Sequence, residues 1–430
     1  MRWGMAALCM LLAACSRGEQ LGAGRPPVAD PRRPEGPLSG GVRRDAPVVR
    51  VGIAVDTTSV TMGAPGDFAL QRLSGEVLAR GRAGEVWQLQ RAAGARVRVV
   101  HARGEAEYEL PVRVATASQE FIDIAGRRYR GHALISARGE DRLTASNVVE
   151  LEQYLLGVVP REMGRRPASE IEALKAQAVA ARTYAIGNLS GRSEQGFDYY
   201  ATVMDQVYGG TADEDSIVSR AVLATRGEIV TYQGQPILAY YSSTCGGHTA
   251  DIEESWPHRS PLPYLRGVSD RIPGTEQYYC ESSSRFRWRT EWTREQLLAV
   301  LGQSLAAHTA GAVTGAGRVS DVRLTHRPSG AERAAVRLTV DGRELTLHGD
   351  SIRWVLRPSP GPAILNSSLL TSLDATRRGG QVERLAIEGG GWGHGIGMCQ
   401  VGAMGRARAG QTYREILLAY YTDTSIDRVY

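Results

Sequence analysis

From Val48 to about Ile124 the chain alternates apolar and polar positions in short runs separated by Gly-rich turns. "VVRVGIAV" (48–55), "VWQLQ" (86–90), "RVRVV" (96–100) and "YELPVRV" (108–114) carry the short-run patterning of strands. Residues 47–126 are therefore expected to form a β-rich N-terminal domain. Strands continue beyond residue 127. "VVELEQYLLGVV" (148–159) then changes to a helical pattern expected to stop near Pro160, since a proline inside a helix removes a backbone donor. The clearest helix follows, from Glu170 to about Asn188. Pro167 precedes it, and Ser169 with Glu172 has the spacing of a capping box. Later β segments are "GEIVTY" (227–232), "PILAYYSS" (236–243), "VSDVRLTHR" (319–327), "AAVRLTVDG" (334–342) and "VERLAIEGGG" (382–391). Helices are expected at Thr293 to about Leu301 and at Tyr413–Tyr421. Residues 284–376 read as an inserted α/β subdomain between two motif-bearing pieces of a core spanning 127–430. The expected fold class is α+β: a β-rich N-terminal domain followed by a mixed core.

Placing Ile171 at zero and advancing 100° per residue puts Leu174, Ala178, Ala181 and Ala185 on one arc of the clearest helix. Lys175 and Arg182 fall inside that arc, where cations need partners or a polar cleft. Lys175 is the sole lysine among 51 Lys and Arg.

The chain has 430 residues, enough for two or three domains. A formal charge of +5 suits an acidic polymer such as nucleic acid, anionic lipid or cell-wall glycan. The lack of an interleaved basic–aromatic stripe argues against nucleic acid. The N-terminus narrows the choice. "MRWGMAALCMLLAAC" has a basic start, a short apolar run and small residues before Cys15, the shape of a secretory signal over 1–15. Leu12-Ala13-Ala14-Cys15 also resembles a bacterial lipobox, whose cysteine becomes a lipidated N-terminus. Residues 16–46, rich in Pro, Gly and Arg, read as a disordered tether reaching roughly 30 Å. These features place the protein in the cell envelope, anchored to a membrane through Cys15 and facing the periplasm or cell surface. Ser16 lacks the aspartate associated with inner-membrane retention, which points to the outer membrane if the cell is Gram-negative.

Removing Cys9 with the signal and assigning Cys15 to lipid leaves Cys245, Cys280 and Cys399. Three thiols in an oxidising compartment suggest one disulfide and one spare, with Cys245–Cys280 the favoured pair; spacing does not fix the connectivity.

Three constellations could carry chemistry. Glu162 is expected in a loop between two helices, a good position for acid/base work. "YYSSTCGGHTA" (240–250) offers hydroxyls, a thiol and His248 around a Gly-Gly turn. "EGGGWGHGIGMCQVGA" (388–403) holds His394, Cys399 and Gln400 in a glycine-rich stretch. A cysteine peptidase or amidase using Cys245 or Cys399 with a histidine is one reading of these loops. No C-x-x-C, H-E-x-x-H or Asp-rich calcium loop is present, so neither metal nor cofactor is expected.

Taken in order, "YRG" (129–131), "GVVPREM" (157–163), "EALKAQAVAARTYA" (172–185), "DQVYGG" (205–210), "AYYSSTCGGHT" (239–249), "GHGIGMCQVGAMGRA" (393–407) and "YREILLAYYTDT" (413–424) resemble the SpoIID/LytB family. The resemblance covers most of the chain from about residue 48. It implies a lytic transglycosylase that cuts peptidoglycan glycan strands, preferring strands stripped of stem peptides. It also implies that Glu162 of the P-x-E-M motif is the catalytic acid/base. Lys175 and Arg182 would orient substrate or stabilise developing charge. Tyr208, Ser242, Ser243, His248, His394 and Gln400 would line the groove. The family's LytB branch implies the alternative, a non-enzymatic wall-binding protein that enhances a separate amidase. Two departures stand out. Where some members carry a Cys-x-x-x-His-Cys zinc site this chain has Tyr200, Met204 and Asp205, so no zinc is expected there. Cys399 occupies a position where serine is usual.

Overall fold

Alternation at the start of the chain does build strands. In the computed structural model, which describes residues 45–430 apart from 119, 190, 310, 312 and 327–332, Val49 and Val51 of the strand Val48–Thr57 are fully buried. The leader, Cys15 and nearly all of the expected tether lie outside the described residues. That first strand pairs antiparallel with Arg142–Glu150, in the register Val49↔Val149 and Val51↔Asn147. Together they centre a seven-stranded sheet ordered Tyr199–Tyr200, Val48–Thr57, Arg142–Glu150, His132–Arg138, Val112–Thr116, Phe68–Gln71, Val77–Gly81. A six-stranded sheet carries Arg127–Arg130, Phe121–Ile124, Ser59–Gly63, Val86–Ala92, Arg96–His101 and Gly104–Glu109. Both sheets contain strands from either side of residue 126. Trp87, Leu89, Val114 and Ile135 from the two sheets share one core with the helices that follow. The chain thus passes residue 126 inside a continuous core, not through a linker.

Eight α-helices occur among the described residues: α1 Leu151–Met163, α2 Ile171–Gly187, α3 Ser216–Ala224, α4 Ile252–Ser255, α5 Arg294–His308, α6 Ser351–Val355, α7 Gln400–Arg408 and α8 Tyr413–Tyr420. α1 runs through Pro160 for a further turn and ends at Gly164, whose N–H donates to the Pro160 carbonyl at 2.9 Å. Glu162 accordingly sits in the last turn of a helix instead of in a loop. α2 is preceded by a 3-10 turn at Ala168–Glu170, and the capping box read at Ser169 and Glu172 does not form. Glu172 instead accepts from Lys175 Nζ at 2.6 Å and from the Tyr413 amide at 2.8 Å, docking α2 to α8. The apolar arc also understates α2. Ala173, Ala176, Val179 and Ala180 are buried as well, because α2 packs against α1, α3, α7, α8 and the strand Glu228–Tyr232.

Residues 288–387 build a second apolar core around Trp292, Leu301, Val336 and Ile387. It contains α5, capped by Thr293 with Gln296, together with the sheets Trp288–Thr293/Gln381–Gly389/Leu370–Arg378 and Val319–Leu324/Val336–Val340/Arg343–Leu347. The architecture is α+β.

"PILAYYSS" forms little regular sheet. Its Tyr241–Ser242 pairs in parallel with Met398–Cys399, and isolated bridges join Thr244 to Trp392 and Ala250 to Ile396. These pairings lay the two glycine-rich motif loops side by side.

Candidate active site

Glu162 is where the sequence motifs converge. Its Oε1 accepts from the Val207 amide at 3.1 Å, and its Oε2 accepts from Gln400 Nε2 at 3.4 Å. Gln400, the first residue of α7, also donates to Gln177 Oε1 on α2 at 3.3 Å. One carboxylate is thus addressed by the segment after "PREM", by the "DQVY" turn and by the residue following Cys399. Gln206 fixes that turn: its Nε2 donates to the Ala181 carbonyl at 3.2 Å and to the Tyr241 hydroxyl at 3.0 Å, and its Oε1 accepts from Tyr154 at 3.2 Å.

The electrostatics pull in two directions. Burial, the largest influence, raises the Glu162 pKa above the ordinary carboxylate range. The Val207 and Gln400 N–H groups favour the charged form and lower it by less. The carboxyl is therefore held toward the acid form, with two donors already aimed at the anion it becomes. Asp205, which with Glu162 influences Tyr154, is committed elsewhere. It pairs with Arg192 at 3.0 Å and accepts from Tyr184 and the Tyr200 amide, both at 2.9 Å.

The other expected residues separate by position. Tyr208 is buried, donates to Asn147 Oδ1 at 2.9 Å and packs on Tyr129 and Tyr154. It holds α1 against the sheet: a Cβ on Gly157 would lie 2.7 Å from its ring. Ser242 is buried beside Cys399, and its hydroxyl has no partner. Ser243 accepts the Val401 amide through its carbonyl at 3.0 Å. His248 Nδ1 lies 2.7 Å from the Thr249 carbonyl. His394 Nδ1 accepts from the Ile396 amide at 3.0 Å, and burial brings its pKa down to about 4, so the ring is neutral at neutral pH. Both histidines bond to backbone atoms, which leaves a cysteine–histidine nucleophile without its hydrogen-bonded pair.

Lys175 and Arg182 lie away from this cluster. At 100° per residue, Lys175 is roughly 200° around α2 from Gln177, the α2 residue that meets Gln400. Its partners are Glu172 and the Tyr413 ring, 5.7 Å distant. Arg182 is fully buried in a bidentate pair with Glu152 (2.7 and 2.8 Å) and donates to the carbonyls of Glu228 and Val222. These contacts leave Arg182 no surface to offer a substrate. Lys175→Ala is expected to cost no more than about 1 kcal/mol and to leave turnover unchanged, because the pair it breaks is partly exposed. Urea unfolding and activity on one preparation check both.

Sequence reading missed Gln177, Gln206 and Tyr241. A signal was present for the first: a glutamine in an alanine-rich helix, fully buried in the structure.

The stage II sporulation protein (SpoIID) family pattern matches residues 139–232, which carry Glu162, Gln177 and Gln206. The stage II sporulation protein D of Bacillus subtilis is 32% identical over 302 residues, covering 66% of this chain and 77% of that protein. The chain belongs to the SpoIID/LytB family. An uncharacterised protein of Brachyspira hyodysenteriae is 33% identical over 311 residues, 72% of this chain and 75% of the relative. The amidase enhancer of Bacillus subtilis is 31% identical over 303 residues, 63% of this chain but only 40% of the enhancer. Residues 267–397, which include most of the second core, match a domain of unknown function (DUF8618). Among the described residues no helix is long and apolar enough to cross a membrane.

Proposed function

We propose that this SpoIID/LytB protein acts on the cell wall as a lytic transglycosylase, cleaving the MurNAc–GlcNAc bond of peptidoglycan glycan strands with Glu162 as the single acid/base. The observation that supports it is the environment of that carboxyl: raised pKa from burial, with neutral amide donors as its hydrogen-bond partners. The protonated acid gives its proton to the glycosidic oxygen as the bond breaks. The resulting carboxylate, steadied by Val207 N–H and Gln400, then takes the proton of the muramoyl C6 hydroxyl. That oxygen closes on C1 to give a 1,6-anhydro end, and Glu162 is protonated again. A hydrolase would need a second carboxylate to activate water or to form a glycosyl-enzyme intermediate. In this reading the substrate is glycan stripped of stem peptides, and the protein works in the envelope, tethered through Cys15.

The pH dependence follows from the sign of the shift. Activity needs the protonated acid, so it falls as pH rises through the raised Glu162 value. Folding stability moves with it: the protonated side chain's contribution is complete below the ordinary glutamate pKa and is lost as pH rises through the folded-state value. Gln400→Ala removes a donor that lowers the pKa, so the alkaline limb of the rate profile is expected to move to higher pH. An unmoved limb would sever Gln400 from the acid.

The relative named amidase enhancer supports a second reading, a wall-binding protein that stimulates an amidase. Digestion of glycan strands with and without stem peptides separates the two. Cleavage of bare strands by the purified chain supports the enzyme. Cleavage of neither substrate, with stimulation of an added amidase, supports the enhancer.

A further inference from the structure

Cys245, Cys280 and Cys399 converge although they are far apart in sequence. Their Sγ atoms and a carboxylate oxygen of Asp270 all lie within 4.8 Å of one another, and all four residues are buried. The expected Cys245–Cys280 disulfide is not formed: the sulfurs are 3.5 Å apart, against about 2.05 Å for a bond. We propose that these four side chains bind one zinc ion as a closed structural site.

The geometry fits a tetrahedral ion. Thiolates about 2.3 Å from zinc stand about 3.8 Å from each other. The Cys245–Cys280 separation is 3.5 Å, and Cys245 Sγ is 3.7 Å from Asp270 Oδ2. Three sulfurs and one carboxylate are a donor set suited to zinc in preference to magnesium or calcium. The surroundings supply the supporting contacts that metal ligands require. The amides of Cys245 (3.1 Å) and Gly402 (3.3 Å) donate to Cys399 Sγ, as they would to a thiolate. Asp270 Oδ1 accepts from the Tyr420 hydroxyl at 2.6 Å and faces Arg406 Nε at 3.4 Å, which leaves Oδ2 turned to the sulfurs. A Cβ on Gly402 would lie 2.5 Å from Asp270 Oδ2 and 2.1 Å from the Tyr420 hydroxyl, so glycine keeps the cluster open.

Charge and protons balance simply. Zinc displaces three thiol protons, and three thiolates plus the Asp270 carboxylate leave a net charge of two minus, which the Arg406 guanidinium partly offsets. No fourth position remains for water, so the role is mechanical. The ion would tie the 245 turn and the 270–280 loop to the first turn of α7. Cys399 immediately precedes Gln400, so the same ion fixes the donor that reaches Glu162. Zinc binding does not depend on which wall activity the protein has.

The test is metal analysis of the full chain, made in zinc-supplemented medium and purified under reducing conditions without a metal-affinity step. About one zinc per chain is expected, with the three thiols unreactive until a chelator removes the metal. Cobalt in place of zinc should give the intense visible bands of tetrahedral thiolate ligation. Tyr420→Phe keeps all four ligands and should weaken zinc binding roughly 10- to 100-fold in competition with a chromophoric chelator. Wild-type protein with under roughly a tenth of an equivalent of zinc would overturn the proposal. A Cys245–Cys280 disulfide in the unreduced peptide map, or full zinc retention by Cys280→Ser, would do the same.

Discussion

Glu162→Gln should abolish anhydro-muramoyl ends while the protein stays folded. The amide keeps the shape of the carboxyl, and its oxygen can still accept from the Val207 amide, so the end of α1 has no reason to move. The proton donor is lost, and so is the base that forms once it has donated. General acid–base catalysis contributes about 10²- to 10⁴-fold to a rate. Because one group serves both halves of this reaction, the loss should reach at least that range. Unfolding curves matching wild type, beside product analysis that finds no cleavage, are the expected pair of results.

Arg182→Ala should act on the fold. Glu152, nearly as buried as Arg182, also accepts from the Tyr430 hydroxyl at 2.5 Å and the Gly227 amide at 3.4 Å. Desolvation, the largest influence, raises the Glu152 pKa, but Arg182 with these donors outweighs it and the net shift is downward. Removing the guanidinium leaves a carboxylate buried without its cation, which costs about 3–5 kcal/mol. The midpoint of urea unfolding should fall accordingly. The wild-type pair contributes stability above the ordinary glutamate pKa that is lost as pH falls through the depressed value, so the variant should also lose less stability on acidification than wild type. An unchanged midpoint would mean that the pair contributes nothing net.

The sequence exposed what local patterning controls. Strands such as Val48–Thr57 and helix α2 follow from periodicity, and Glu162 from its place in the P-x-E-M motif. What eluded it depends on contacts distant in sequence. Pro160 reads as a stop, yet α1 continues because Val158, Val159 and Met163 are buried on either side of it. Lys175 and Arg182 do share the inward arc, but a helix buried on most of its surface has several inward faces, and theirs is not the one bearing Gln177. The division at residue 126 fails to show as a break because strands before and after it lie in the same sheets. The cysteine cluster has no metal-site spacing: 154 residues separate Cys245 from Cys399, and only the parallel pairing of Ser242 with Cys399 brings them together. Gln400 is in the motif but its purpose is not; its position beside Glu162 requires α7 to start where it does.

A transglycosylase and a hydrolase differ in where the new oxygen at C1 comes from. Peptide-stripped glycan strands should therefore be digested in heavy-oxygen water and the new ends weighed by mass spectrometry. Intramolecular closure gives 1,6-anhydro ends without the label, formed by wild type and absent with Glu162→Gln. Labelled reducing ends, or anhydro ends that persist in Glu162→Gln, would contradict a single-carboxylate transglycosylase at this site.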